Sequence, residues 1–239
     1  MIKAVLFDFR DTLINVKAAN KAIGTAVFRL VKKFKPALVR AKFNRDYLNA
    51  YKTVKTKHSD NPLIHDWTKI ILLTYLRQQN LKLSQKELTG WLNQLNKAFI
   101  EHCRLFTDTK LTLNWLNQKH LKIGVIIDGT VKREQAIIKK LKLAKYFKVI
   151  IISEAVGKNK FTSQPLQAGI KKLKLPAKQI IVIGDRLDKD IRWANQLGAI
   201  GVLLQRQRGR YNQLRKRSHL EIPQYTIKNL TELKKIIKS

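Results

Sequence analysis

Three apolar runs in this chain each end in an acid-bearing turn, and that repetition limits the folds it can adopt. Ala4-Val5-Leu6-Phe7 leads into Asp8-Phe9-Arg10-Asp11-Thr12-Leu13. Leu121-Lys122-Ile123-Gly124-Val125-Ile126-Ile127 leads into Asp128-Gly129-Thr130, and Ile180-Ile181-Val182-Ile183 into Gly184-Asp185. A fourth run, Val149-Ile150-Ile151-Ile152, precedes Lys160, and Ala199 to Leu204 reads as a fifth strand. Near-continuous apolar strands separated by helical stretches (131–143, 163–174, 188–197) argue for a parallel sheet covered on both faces. The expected fold class is therefore α/β, a Rossmann-like parallel core. In such sheets ligands bind at the carboxyl ends of the strands, so Asp8, Lys160, Asp185 and Asp190 are expected to converge there.

Residues 16–100 break this rhythm. They show helical patterning and no convincing strand, with candidate helices at 17–34, 37–57, 63–79 and 84–102. Pro36, Ser59-Asp60-Asn61-Pro62 and the stretch from Asn80 to Ser84 divide them. Ser84 with Glu87 has the spacing of a capping box ahead of Leu88, Trp91, Leu92 and Leu95. The expected organisation is a core of residues 1–14 and 103–239, interrupted by an all-helical cap of residues 15–102.

The charge balance is skewed. Forty-nine Lys and Arg oppose 16 Asp and Glu, a formal net charge of +33. Such a field attracts polyanions, and a lysine-rich lineage composition is the competing explanation. Within the cap, Phe34, Phe43, Tyr47 and Tyr51 interleave with basic residues at 29–57, as stacking platforms or as buried cap aromatics. Arg206, Arg208, Arg210, Arg215, Lys216 and Arg217 form a second basic run, and arginine suits bidentate phosphate contact. Nucleic acid or a ribosome is thus a candidate partner. No apolar run is long enough to span a membrane, and the first charges come too early for a signal peptide. The single cysteine, Cys103, allows no intrachain disulfide, which fits a reducing cytoplasm. Oligomeric state leaves no sequence signal.

Paired carboxylates at one sheet edge suit a hard cation of the Mg²⁺ type, and a neighbouring lysine holds a phosphoryl group as a point charge. In this order along the chain, the set resembles the haloacid dehalogenase-like (HAD) hydrolase superfamily, in the branch with a helical cap after the first motif. Val5 to Leu13 is similar to the first motif, Ile123 to Thr130 to the second, Lys160 to the third, and Gly184-Asp185 through Asp190-Ile191 to the fourth. The segment Ile222 to Leu233 also resembles that branch. The resemblance implies a Mg²⁺-dependent phosphatase of small phosphorylated substrates. Asp8 would form an aspartyl-phosphate, and Lys160 would neutralise nucleophile and phosphate. Asp8, the backbone carbonyl of Arg10, Asp185 and Asp190 would hold the metal. Asp128, Gly129 and Lys160 would bind phosphate.

Two positions depart from the resemblance. Arg10 stands where the family has the acid that protonates the leaving group, and guanidinium does not lose its proton in proteins. Ile127 stands where the family has a phosphate-binding Ser or Thr; Phe161 replaces a usual Pro. These changes imply impaired catalysis and weakened metal binding, with Arg10 either folding back between Asp8 and Asp185 as a cation in the metal's place or pointing to solvent while the site still binds Mg²⁺ weakly. The alternative is a catalytically inactive scaffold that binds RNA or ribosomes through basic surfaces. A metal-independent dehalogenase, whose branch also lacks acid at this position, is a third reading, disfavoured by Gly184-Asp185.

Overall fold

β1 (Ala4–Asp8) runs through the interior of a six-stranded sheet, since Ala4, Val5, Leu6 and Phe7 are all fully buried. The computed structural model describes residues 1–58, 60–207, 209, 211–213 and 218–237. They divide into two compact units, Met1–Asn15 with Arg104–Ser239, and Val16–Cys103.

The first unit continues with β2 (Ile14–Asn15), then re-enters through β3 (Arg104–Leu105) and α5 (Thr107–Gln118). Next come β4 (Lys122–Ile127), α6 (Val131–Lys140), β5 (Val149–Ile152), the single-turn α7 (Ser153–Val156) and α8 (Gln164–Leu173). β6 (Ile180–Gly184), α9 (Arg192–Gln196), β7 (Ile200–Leu204), β8 (Tyr225–Ile227) and α10 (Leu233–Ile236) complete it. The elements missed here are short. β2 and β3 form a two-residue antiparallel ladder with Ile14 opposite Leu105, and β8 adds a sixth strand with only Ile227 buried. The sheet order is β5-β4-β1-β6-β7-β8, every pair parallel. Asp8 sits opposite Ile126 of β4, and Phe7 opposite Ile183 of β6. Two strand ends therefore flank Asp8: Asp128-Gly129 on one side and Gly184-Asp185 on the other. One face of the sheet packs Leu6, Ile126, Ile151 and Val182 against Leu166 and Leu173 of α8, burial that supplies the main favourable term for the layer. The helix expected from Asp188 begins instead as a π-helical turn at Leu187–Ile191, a form that tends to mark functional sites.

The second unit holds α1 (Lys17–Lys32), α2 (Arg40–Lys57), α3 (Trp67–Gln78) and α4 (Gln85–His102), with α1 against α4 and α2 against α3. The capping box forms: Ser84 Oγ accepts from the Glu87 amide at 3.2 Å, and Glu87 Oε2 accepts from the Ser84 amide at 2.8 Å. Trp91, Leu95 and Phe99 then line one buried stripe of α4. Of the interleaved aromatics Phe43 is core: it is buried, stacks on Tyr47 at 5.3 Å and meets Tyr75 edge-on at 5.4 Å, whereas Tyr47 and Tyr51 are half-buried and Phe34 is exposed. Among the described residues, no helix is long and apolar enough to cross a membrane.

Candidate active site

Lys160 is the cation at the centre of the strand ends. Its Nζ lies 2.5 Å from Asp8 Oδ1 and also pairs with Asp190 Oδ1. Its loop is fixed on two sides: its amide donates to Asp128 Oδ1 at 2.7 Å, and its carbonyl accepts from Trp193 Nε1 at 2.9 Å. Burial works against the ammonium. The carboxylates of Asp190, Asp8 and Asp128 outweigh that and hold its pKa above the ordinary lysine value.

Asp8, Asp185 and Asp190 offer carboxylate oxygens within 4.8 Å of one another. Burial, followed by repulsion from Asp8, Asp190 and Asp11, pushes the Asp185 carboxyl well above its usual range. Burial likewise raises Asp190, against the pull of Lys160, to about 6. Asp8 Oδ2 is buried with no hydrogen-bond partner among the described residues. A set of hard oxygen donors that repel one another, one of them unpartnered, fits a divalent cation. Gly184 is needed for this packing, because a Cβ there would land inside the Asp190 carboxylate. Gly184→Ala is expected to displace Asp190 and destabilise the fold by about 1–3 kcal/mol, read as a lowered melting temperature with weaker Mn²⁺ binding by titration calorimetry.

The β4 side differs from expectation. Arg10 does not supply the cation between the carboxylates, where Lys160 stands; its Nη2 pairs with Oε1 of Glu134 on α6. Glu134 is fully buried, and the same Oε1 accepts from Arg133 Nε at 3.0 Å. Glu134 lies against Gly129, where any Cβ would meet its carboxylate. The Asp128 and Gly129 groups are tied up internally. Asp128 Oδ2 accepts from Lys189 Nζ at 3.1 Å, and the Gly129 amide donates to Ser153 Oγ at 3.1 Å. Ile127 is fully buried. Burial lowers the Lys189 pKa despite Asp128, and the Phe161 ring lies 3.7 Å from its Nζ. The sequence reading missed Glu134, Arg133 and Lys189. The one available signal was an acid inside the basic run Lys132-Arg133-Glu134.

Of the second basic run, Arg206 is an internal tie. Its guanidinium meets both oxygens of Asp108, at 2.9 and 3.0 Å, donates to the Thr12 carbonyl at 2.7 Å and lies over Phe106. Its donors point into the unit, which removes it from the polyanion-binding set. Arg208, Arg210, Arg215, Lys216 and Arg217 lie outside the described residues. The surplus charge is divided evenly by length between the two units. Residues 16–103 carry 17 Lys and Arg against 5 Asp and Glu, and the rest of the chain 32 against 11. The surplus per residue is nearly equal in the two units, so it singles out neither as a docking unit.

Residues 5–203 match the haloacid dehalogenase-like hydrolase family. The chain belongs to that family. Within it, the chain is 31% identical over 245 positions to a glyceraldehyde 3-phosphate phosphatase of Methanocaldococcus jannaschii, covering all of this chain and 98% of the relative. It is 25% identical to a ribulose-1,5-bisphosphate 5-phosphatase of Halopiger xanaduensis, over 85% of this chain and 84% of the relative. Among solved structures, a HAD phosphatase from Thermococcus onnurineus superposes with a TM-score of 0.72 at 23% identity, covering 99% of this chain and 98% of the other. The HAD-hydrolase YfnB of Bacillus subtilis, solved bound to magnesium, superposes with a TM-score of 0.75 at 17% identity, covering 100% and 99%. The HAD fold explains why Asp8, Lys160, Asp185 and Asp190 meet although they are far apart in sequence.

Proposed function

We propose that this HAD protein is a phosphatase of small phosphorylated compounds, sugar phosphates among them, working through an aspartyl-phosphate on Asp8. The observation that carries the reading is Asp8 itself: one oxygen is held by Lys160 and the other is buried without a partner, beside two further carboxylates. The full-length similarity to a glyceraldehyde 3-phosphate phosphatase supports the substrate class. Asp8, Asp185 and Asp190 would hold Mg²⁺, which when bound supplies positive charge to the phosphoryl oxygens.

The chain's own residues account for the rest. Asp8 attacks phosphorus, a bond forms between its oxygen and phosphorus, and the bond to the leaving oxygen breaks. Lys160 pairs with Asp8 and offsets charge on the transferred group. Water then attacks phosphorus and releases Asp8 and inorganic phosphate. Arg10 cannot protonate the leaving oxygen or deprotonate the water, so both steps proceed without that help. This slows turnover most for substrates whose leaving group is a poor acid.

The test is hydrolysis of p-nitrophenyl phosphate, whose leaving group needs no proton, and of glyceraldehyde 3-phosphate with Mg²⁺, in wild type and Asp8→Asn. Turnover with phosphate trapped on Asp8, both lost in Asp8→Asn, is expected. Turnover that survives Asp8→Asn, or a wild type silent on both substrates, would overturn the reading; silence would leave the inactive scaffold.

A further inference from the structure

Lys160 is gripped at three points by one short stretch of chain. The π-helical turn Leu187–Ile191 presents two neighbouring residues of opposite charge, Lys189 and Asp190. Asp190 pairs with the Lys160 ammonium. Lys189 reaches the β4 side, where its Nζ donates to Asp128 Oδ2 at 3.1 Å, while Asp128 Oδ1 accepts from the Lys160 amide at 2.7 Å. Trp193, at the start of α9, donates from Nε1 to the Lys160 carbonyl at 2.9 Å. Ammonium, amide and carbonyl of one residue are thus all held from residues 189–193, the amide by way of Asp128. Lys189 is buried, its side chain 9% exposed, and its Nζ lies 3.7 Å from the ring centre of Phe161, the residue directly after Lys160. The proposed reaction gives it no task.

We infer that Lys189 is a positioning residue for Lys160, acting through Asp128. A carboxylate held by an ammonium on one oxygen and by an amide on the other is fixed in orientation. The Lys160 backbone is then fixed where its side chain sets out toward Asp8. Charge works in the same direction. Asp128 attracts Lys160 together with Asp190 and Asp8. Lys189 neutralises Asp128, which leaves the Lys160 ammonium to Asp8 and Asp190 and offsets a negative charge that would oppose an arriving phosphate. The Phe161 ring face favours an ammonium electrostatically, so it ties Lys189 a second time to the Lys160 loop. Phe161, in place of the family's usual Pro, then serves the same grip.

The rate readout of this inference rests on the phosphatase reading; a second readout needs no turnover. Lys189→Met is expected to lower kcat on p-nitrophenyl phosphate, and the rate of aspartyl-phosphate formation, by about 10- to 100-fold with KM little changed, because a misplaced Lys160 loses its worth in the transition state. Lys189→Arg should restore most of the rate and Lys189→Gln little. Lys189→Met combined with Asp128→Ala should cost no more than Asp128→Ala alone, since both lie on one route. Independently of activity, hydrogen exchange at the Lys160 amide, followed by NMR, should quicken about tenfold or more in Lys189→Met and less in Lys189→Arg. Thermal melts check that each variant is folded, and Lys189→Gln carries the comparison where Lys189→Met does not fold. A folded variant with wild-type kcat, with wild-type exchange at the Lys160 amide, or with losses that multiply with Asp128→Ala overturns the inference and leaves the phosphatase reading intact. A wild type without turnover overturns the phosphatase reading, and the amide exchange alone then decides on Lys189.

Discussion

Arg10→Asp is expected to raise kcat on alkyl phosphates by about 10²–10⁴-fold, the usual contribution of a positioned general acid–base group. The gain should depend on the leaving group. An alkoxide needs its proton as the bond to phosphorus breaks, whereas p-nitrophenolate does not, so p-nitrophenyl phosphate should gain far less in the step that forms the aspartyl-phosphate. Glu134 makes the site receptive to the change. An introduced carboxyl would stand near a fully buried acid, and like charge with burial raises its pKa. That keeps a fraction protonated near neutral pH, as a general acid requires. The fold should tolerate the exchange, because Arg133 remains 3.0 Å from Glu134 and keeps its charge compensated. Equal gains on alkyl and aryl substrates, or no gain on either, would show that the missing proton donor does not limit this enzyme.

The sequence reveals most where a residue's environment is set by its own segment. β1, β4, β5 and β6 are legible because strands buried on both faces need unbroken apolar runs, and the site carboxylates are legible because they follow those runs directly. Lys160 comes with the third motif of a familiar order. β2 and β3 are two residues each, too short for any period, and β8 buries only Ile227 at a sheet edge. Glu134 fails for a different reason. Inside Lys132-Arg133-Glu134-Gln135 a charged residue reads as solvated, yet it is buried with Arg133 and with Arg10, 124 positions away, as cationic partners. The same pairing overturns the expectation for Arg10. Proximity in sequence to Asp8 suggested an inward fold, yet the guanidinium pairs with the fully buried Glu134, while the carboxylate cluster is already served by Lys160.

Lys160→Met should abolish turnover and make the fold dependent on a divalent cation. Lys160 pairs with both Asp8 and Asp190, and removing one partner of a buried ionic cluster typically costs about 3–5 kcal/mol. The loss should depend on pH in a defined direction. The Asp190 carboxyl already titrates at about 6 in the folded chain, with burial as the main cause, against about 3.9 in an unfolded one. An acid whose pKa is raised by folding binds more protons folded than unfolded, so its contribution to stability falls as pH rises through that window. Without Lys160 the pull that lowers Asp190 and Asp185 is gone, and their pKa values move further up. Metal-free Lys160→Met should therefore be least stable at and above neutral pH and recover on acidification toward pH 5, as those carboxyls take up protons. Mg²⁺ should raise its melting temperature strongly at pH 7.5 and weakly at pH 5, because protons and metal compete for the same oxygens. Differential scanning calorimetry across pH, with Mg²⁺ or with chelator, gives the comparison. A Mg²⁺ shift that is independent of pH, or a variant as stable as wild type in chelator at pH 7.5, would mean that Lys160 does not carry the electrostatic balance of the three carboxylates.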